Sequence, residues 1–194
     1  MTTLGVFAYA SLVSAASARE TLGRDVELAA PARLTGWRRR WSIGRENLSA
    51  EKTFARADGG ELPRVCLGLN VEPAGPADEP PNGAVIALSE AELGRLDLRE
   101  LRYDRFEATG LVEPAPAGID RVFAYRAKPE RFVEAPPPGA VVIAAYLRTV
   151  EEAFDALGAG ELDAFRRTTG SPPAPVVEAI LTRDEIPVGN PRLW

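Results

Sequence analysis

Residues 4–12 read LGVFAYASL, and the fold turns on how that stretch is understood. Leu4, Val6, Phe7 and Ala8 form a short apolar run bounded by Gly5 and a polar turn, the pattern of a buried strand. After Leu12 come small residues (Ser14, Ala15, Ala16, Ser17, Ala18) that open a helix reaching to about Leu22. A strand that runs into small residues leaves its next amides unpaired, and successive unpaired amides form a nest for an anionic or carbonyl oxygen. The same residues also fit an ordinary strand-to-helix turn. On this stretch alone the ordinary turn is the favoured reading.

The 194 residues, 45% hydrophobic and 26% charged, suit one globular domain spanning 1–194. A net charge of −5 lacks the basic footprint of a nucleic-acid partner. Histidine is absent, which removes Ser-His-Asp and Cys-His nucleophile mechanisms and most zinc chemistry. Acid–base work near neutrality falls to a carboxylate, Lys, Tyr or the single thiol, Cys66. Cys66 permits no internal disulfide, and between Val65 and Leu67 it is expected to be buried and inert. Neither a signal peptide nor an apolar run of about 18 residues is evident. The cytoplasm is the expected address, with neither membrane nor nucleic acid as partner.

Moving outward, Trp37, Arg39, Trp41 and Ile43 alternate with Arg38, Arg40 and Ser42, a period of two that makes a strand. Three consecutive arginines can bind a carboxylate or phosphate. More commonly such a run is a solvated strand face whose stems cover aromatic surface. Residues 45–63, with Gly59-Gly60, have no period and read as a long loop or hairpin tip, a candidate lid. Residues 64–71 form a strand, 72–82 a Pro-rich loop, and 83–88 a buried strand.

Ser89 and Glu92 make a capping box at the start of a helix. Leu93, Leu96 and Glu100, spaced i, i+3 and i+7, then share one face, which puts a carboxylate where the pattern calls for an apolar residue. Such conflicts tend to mark functional sites. The alternative is that the helix ends near Leu98 and leaves Glu100 exposed beside Arg99 or Arg102. Extended segments follow at 101–109, with Tyr103, Arg105 and Glu107 on one side, and at 119–127, with Phe123 and Tyr125 on one face. Val142, Tyr146, Val150, Phe154 and Leu157 form the apolar stripe of a strong helix that Gly158 ends. A shorter helix at 161–167 and an apolar run at 176–181 precede the closing Asn190-Pro191-Arg192-Leu193-Trp194. Strands outnumber helices and interleave with them, so the expected class is α+β with a curved sheet or small barrel.

In this order the pieces resemble the γ-glutamylcyclotransferase-like family. The matching stretches are VFAYASL (6–12), similar to that family's Y-G-S-L/N loop, and ARLTGWRRRW (32–41). After these come GAVIALSEAEL (83–93) leading into LDLRELRY (96–103), then VFAY (122–125) and AYLRTV (145–150). The resemblance covers roughly the first four-fifths of the chain and leaves a C-terminal extension from about residue 170. It implies a small mixed β-barrel with flanking helices and a cavity at one end. The implied reaction releases 5-oxoproline from a γ-glutamyl peptide, amino acid or amine, through attack of the substrate's α-amine on its own γ-carbonyl, without cofactor or metal. By the same resemblance Glu100 is the general acid/base, and Tyr9, Ala10, Ser11, Leu12, Tyr103 and Tyr125 bind the substrate.

A reaction whose nucleophile belongs to the substrate suits a chain without histidine. The loops at 45–63 and 72–82 are expected to shape the leaving-group end, and they carry no readable code. Ala10 stands where the family has glycine. A left-handed backbone there would strain alanine, whereas any other conformation would let the methyl simply narrow the pocket. That departure keeps a non-catalytic module binding γ-glutamyl or other carboxylate ligands as the alternative. An interaction protein using Trp194 is the third reading, and oligomeric state is left open.

Overall fold

In the computed structural model, which describes residues 2–185, the opening run is strand β1 (Leu4–Ala8), buried at every position. The closing residues 190–194, Trp194 included, lie outside the described residues. A 3-10 turn (Ser11–Val13) and helix α1 (Ala15–Leu22) follow β1. Ser14 caps α1 through its side chain, and Gly23 closes it in the left-handed conformation that glycine adopts without strain. Strands β2 (Ala32–Leu34), β3 (Trp37–Glu46), β4 (Lys52–Arg56), β5 (Val65–Pro73) and β6 (Asn82–Leu88) lead to helix α2 (Glu90–Arg99). Next are β7 (Tyr103–Glu107), β8 (Val112–Glu113), β9 (Arg121–Ala127) and β10 (Ala140–Ile143). Helices α3 (Ala144–Leu157) and α4 (Glu161–Thr169) and strands β11 (Val176–Val177) and β12 (Ala179–Asp184) complete the order.

A six-stranded sheet runs β7-β9-β1-β6-β2-β8, a four-stranded sheet β11-β10-β5-β3, and β12 pairs with β4. Strand β1 lies antiparallel to β6 and parallel to β9, and both of its faces are buried, which is why it is apolar throughout. The sheets curl toward each other. Tyr103 Oη on β7 donates to Leu69 O on β5 at 2.9 Å, and Ala127 N donates to Asn70 Oδ1 at 2.6 Å. The fold is therefore α+β, a curled half-barrel with helices packed around it. Gly83 permits the tightest approach: a Cβ there would sit 2.1 Å from Ala8 O at the end of β1. The core between sheets and helices is built on Val6, Phe7, Leu34, Leu69, Ile86 and Phe154, all essentially inaccessible. Among the described residues no helix is long and apolar enough to cross a membrane.

The capping box at Ser89 is present in both its halves. Two expectations need correction. Residues 45–63 are not an open loop: β3 continues to Glu46, and residues 52–56 form β4 because β12 supplies a partner from far along the chain. Buried Asn47 fixes the connection, accepting from Phe54 N at 2.8 Å and donating to Phe54 O and Pro63 O at 2.8 and 2.9 Å. The late helix also begins later than its apolar stripe suggests. Val142 belongs to β10, which β5 and β11 hold extended on either side, and α3 starts at Ala144.

Candidate active site

Where β1 ends, the chain turns sharply through residues 9–12. Ala10 has φ −142° and ψ −135°, outside the left-handed region, so the positive-φ reason for a glycine does not apply there and the methyl narrows the pocket. The turn is tightened by Val13 N donating to Ala10 O at 2.9 Å and Ser14 N to Ser11 O at 3.1 Å. The amides of Ala10, Ser11 and Leu12 donate to no acceptor among the described residues.

Behind this turn sits Arg39, only 1% exposed. Its Nη1 donates to Tyr9 O at 2.9 Å and Asn82 O at 2.8 Å. Nη2 reaches Asn82 Oδ1 at 2.7 Å and Thr168 Oγ1 at 3.0 Å, and Nε reaches Thr169 Oγ1 at 2.7 Å. The guanidinium lies against the rings of Phe154 and Phe165, at 4.9 and 4.4 Å from their centroids. Asn82 in turn donates to Glu161, which pairs with Arg33 at 3.1 Å, so a second ion pair adjoins the Arg39 network. Burial lowers Arg39 to about 9, still protonated at neutral pH. The expectation of a solvated arginine face thus fails for Arg39, because helix α4 closes over that side of β3. Arg38 and Arg40 on the other face remain partly exposed and each pair with Glu72 at 3.3 Å.

Helix α2 stops at Arg99, and Glu100 is its C-cap, with N donating to Leu96 O at 2.8 Å and O accepting from Tyr103 N at 2.7 Å. Leu98 is 58% exposed, in keeping with an early end to the helix, yet the Glu100 side chain is only 16% exposed and lines a cavity. Arg99 accounts for this placement. Its side chain is 2% exposed, and its Nε lies 3.1 Å from Glu100 Oε1. Nη1 donates to Ser17 O at 3.0 Å and to Thr21 Oγ1, while Nη2 donates to Ser17 Oγ at 2.9 Å and Ser11 Oγ at 3.2 Å. One guanidinium thereby ties the end of α2 to α1 and to the turn after β1. Burial pulls Arg99 below its ordinary range, and the charge of Glu100 opposes that.

The cavity, about 460 Å³, opens between these elements and the strands β3 and β5. It brings together Tyr9, Ala10, Ser11 and Leu12 with Glu100, Tyr103 and Tyr125, which are all the residues singled out from sequence. It also includes Tyr146, which sequence reasoning assigned to an apolar helix stripe, so all four tyrosines of the chain line it. Tyr9 Oη donates to Tyr125 O and Tyr125 Oη to Asp97 Oδ1, both at 2.8 Å, and Leu69 N donates to Tyr146 Oη at 3.4 Å. Burial raises all four phenols, and the charge of Glu100 pushes each the same way, Tyr146 reaching about 12. They are neutral hydroxyls at physiological pH, suited to shaping and hydrogen bonding and not to acting as bases. Cys66 is buried and its thiol is pushed up by that burial, as an inert core cysteine should be.

At the level of sequence, no family model and no curated protein matches the chain. Solved structures do. One is described as a gamma-glutamyl cyclotransferase, at 14% identity over 91% of this chain and 94% of that one, with a TM-score of 0.58. YkqA from Bacillus subtilis matches at 15% identity over 90% of this chain and 56% of its own length, TM-score 0.57. An uncharacterized protein from Homo sapiens matches at 14% identity over 92% and 95%, TM-score 0.57. At these identities the likeness is one of fold, and the fold is gamma-glutamyl cyclotransferase-like.

Proposed function

We propose that the protein is a γ-glutamylcyclotransferase with Glu100 as general acid/base. The γ-glutamyl group enters the cavity curled, with its α-ammonium toward Glu100. The carboxylate takes a proton, and the freed amine nitrogen attacks the γ-carbonyl carbon. The unpaired amides of the 9–12 turn receive the oxyanion as it forms. Glu100 then returns the proton to the departing nitrogen, and the second ammonium proton, lost from the ring nitrogen as the lactam forms, leaves with the departing amine as its ammonium. The old amide C–N bond breaks, and 5-oxoproline and an amine, amino acid or peptide leave. Holding the chain as a near-attack ring can supply several kcal/mol of the barrier, about 7 or more in the best cases. The other requirements are a poised carboxylate and fixed donors.

The observation that carries this reading is that Glu100 and the turn with unpaired amides line one cavity, in a fold shared with a gamma-glutamyl cyclotransferase. Its test is Glu100→Gln, assayed for 5-oxoproline release from glutathione, γ-glutamyl amino acids and γ-glutamyl amines. Loss of turnover with the fold intact supports it, and full activity removes Glu100 from the mechanism. The second reading, a binding module of the same fold, draws on Ala10. The negative φ at that position removes the left-handed-backbone argument for it. Tight binding of γ-glutamyl compounds by the wild-type protein without any turnover would restore it.

A further inference from the structure

The cavity has two chemically different ends. Glu100, the tyrosines and the 9–12 turn occupy one. At the other are Arg45 of β3 and Lys52 and Phe54 of β4, beside Cys66 of β5. Along β5, Cys66 pairs with Arg45, whereas Leu69 holds Tyr103 and Tyr146. Those two positions are three residues apart, about 10 Å along a strand.

Most cavity cations have a carboxylate. Arg99 lies 3.1 Å from Glu100, Arg102 lies 2.7 Å from Glu51, and Lys52 lies 3.8 Å from Asp184. Arg45 has none within salt-bridge distance among the described residues, and its contacts are to neutral atoms. Nη1 donates to Lys52 O at 2.6 Å, and Nη2 to Asn47 Oδ1 at 3.2 Å and Cys66 Sγ at 3.8 Å. The guanidinium lies over the Phe54 ring at 5.1 Å. It is therefore fixed in orientation with two of its five N–H groups uncommitted. A half-buried cation built this way suits an incoming anion, and the planar fork suits a carboxylate.

We infer that Arg45 anchors a carboxylate on the leaving-group side, so that the cavity takes γ-glutamyl peptides whose leaving amine carries a carboxylate in preference to uncharged γ-glutamyl amides and amines. This rests on the cyclotransferase reading for where the γ-glutamyl group lies. Two extended residues span about 7 Å, the same order as the roughly 10 Å along β5 between the two ends.

The test is a matched pair, γ-glutamyl-alanyl-glycine and its C-terminal amide, equal in size and differing in one charge. Turnover is measured on wild type and Arg45→Met, and binding by calorimetry on Glu100→Gln with and without Arg45→Met. The wild type should favour the acid about tenfold or more in kcat/KM, the range of a charged hydrogen bond, and Arg45→Met should bring the ratio close to one. Binding should show the same ratio and the same collapse. Equal handling of acid and amide by wild type, or a ratio that survives Arg45→Met, overturns the assignment. If neither compound releases 5-oxoproline but the acid binds tenfold better through Arg45, the anion subsite stands and the cyclotransferase reading falls. If neither binds nor turns over, both fall.

Discussion

Replacing Arg99 with methionine removes a guanidinium 3.1 Å from the Glu100 carboxylate. At an effective dielectric of about 20, two unit charges at that distance attract by roughly 5 kcal/mol, a ceiling equal to nearly 4 pH units. Water entering the vacated space and the partial exposure of Glu100 reduce this, and carboxylates beside an arginine typically move by about 1–3 units. The sign is fixed. Losing the cation favours the protonated acid, so a base that must be ionised needs a higher pH to work. The acid limb of kcat/KM for 5-oxoproline release should therefore rise by about 1–2 pH units in Arg99→Met. Arg99→Lys keeps the charge and should hold the limb close to its wild-type position. The methionine variant also leaves Ser17 O, Ser17 Oγ, Thr21 Oγ1 and Ser11 Oγ without their donor, a cost of about 2–4 kcal/mol that thermal melting will register. A profile that scales down uniformly without moving its acid limb would mean that Arg99 only holds the helices together, and the electrostatic reasoning would be wrong.

Glu100→Gln should lower turnover by about 10²–10⁴-fold while leaving the melting transition near that of wild type, read by 5-oxoproline release and calorimetry. Arg39→Met should destabilise the protein by about 3 kcal/mol or more in urea unfolding, since it orphans acceptors in the turn, in β6 and in α4. A change below about 1 kcal/mol would contradict its role as the support of the turn. Ala10→Gly should cost only about 0.5–1 kcal/mol of stability, because φ is already negative; a large gain in both stability and activity would reveal strain at alanine. The four buried phenols have folded-state values above their unfolded ones, so the stability they contribute is intact below about pH 10 and is lost as pH rises further. Absorbance titration should show phenolates appearing late and together with alkaline unfolding, not as four independent groups near the free value.

The parts of the fold legible in the sequence are those whose cause is local. Strand β1 announces itself by an unbroken apolar run, α2 by its capping box, and the end of α3 by Gly158. Strand β4 could not be read because its partner β12 is more than a hundred residues away and its own residues show no alternation. Arg39 shares a period-two face with Trp37 and Trp41, yet only the arrival of α4, with two threonine hydroxyls, turns that face inward. Within the candidate site, Glu100 was visible as a polar residue on an apolar face. Arg99 was not, because a basic residue in the last turn of a helix ordinarily serves the helix dipole. The signal that existed was the Ser17/Thr21 pair, one helical turn apart on α1, offering small acceptors to a buried cation. Tyr146 was hidden by its ring, which serves an apolar stripe as well as a pocket.

Strand β4 carries Lys52 and Phe54 on the cavity wall and has β12, ending at Asp184, as its strand partner among the described residues. Strand β1, made almost first, likewise waits for Arg121–Ala127 to fill one of its edges. On the ribosome, where residues appear in order, the nascent chain can therefore bury its first strand well before it can finish the enclosure. Neither the amides near its beginning nor the acid at its midpoint has a complete chamber around it until residue 184 has left the exit tunnel.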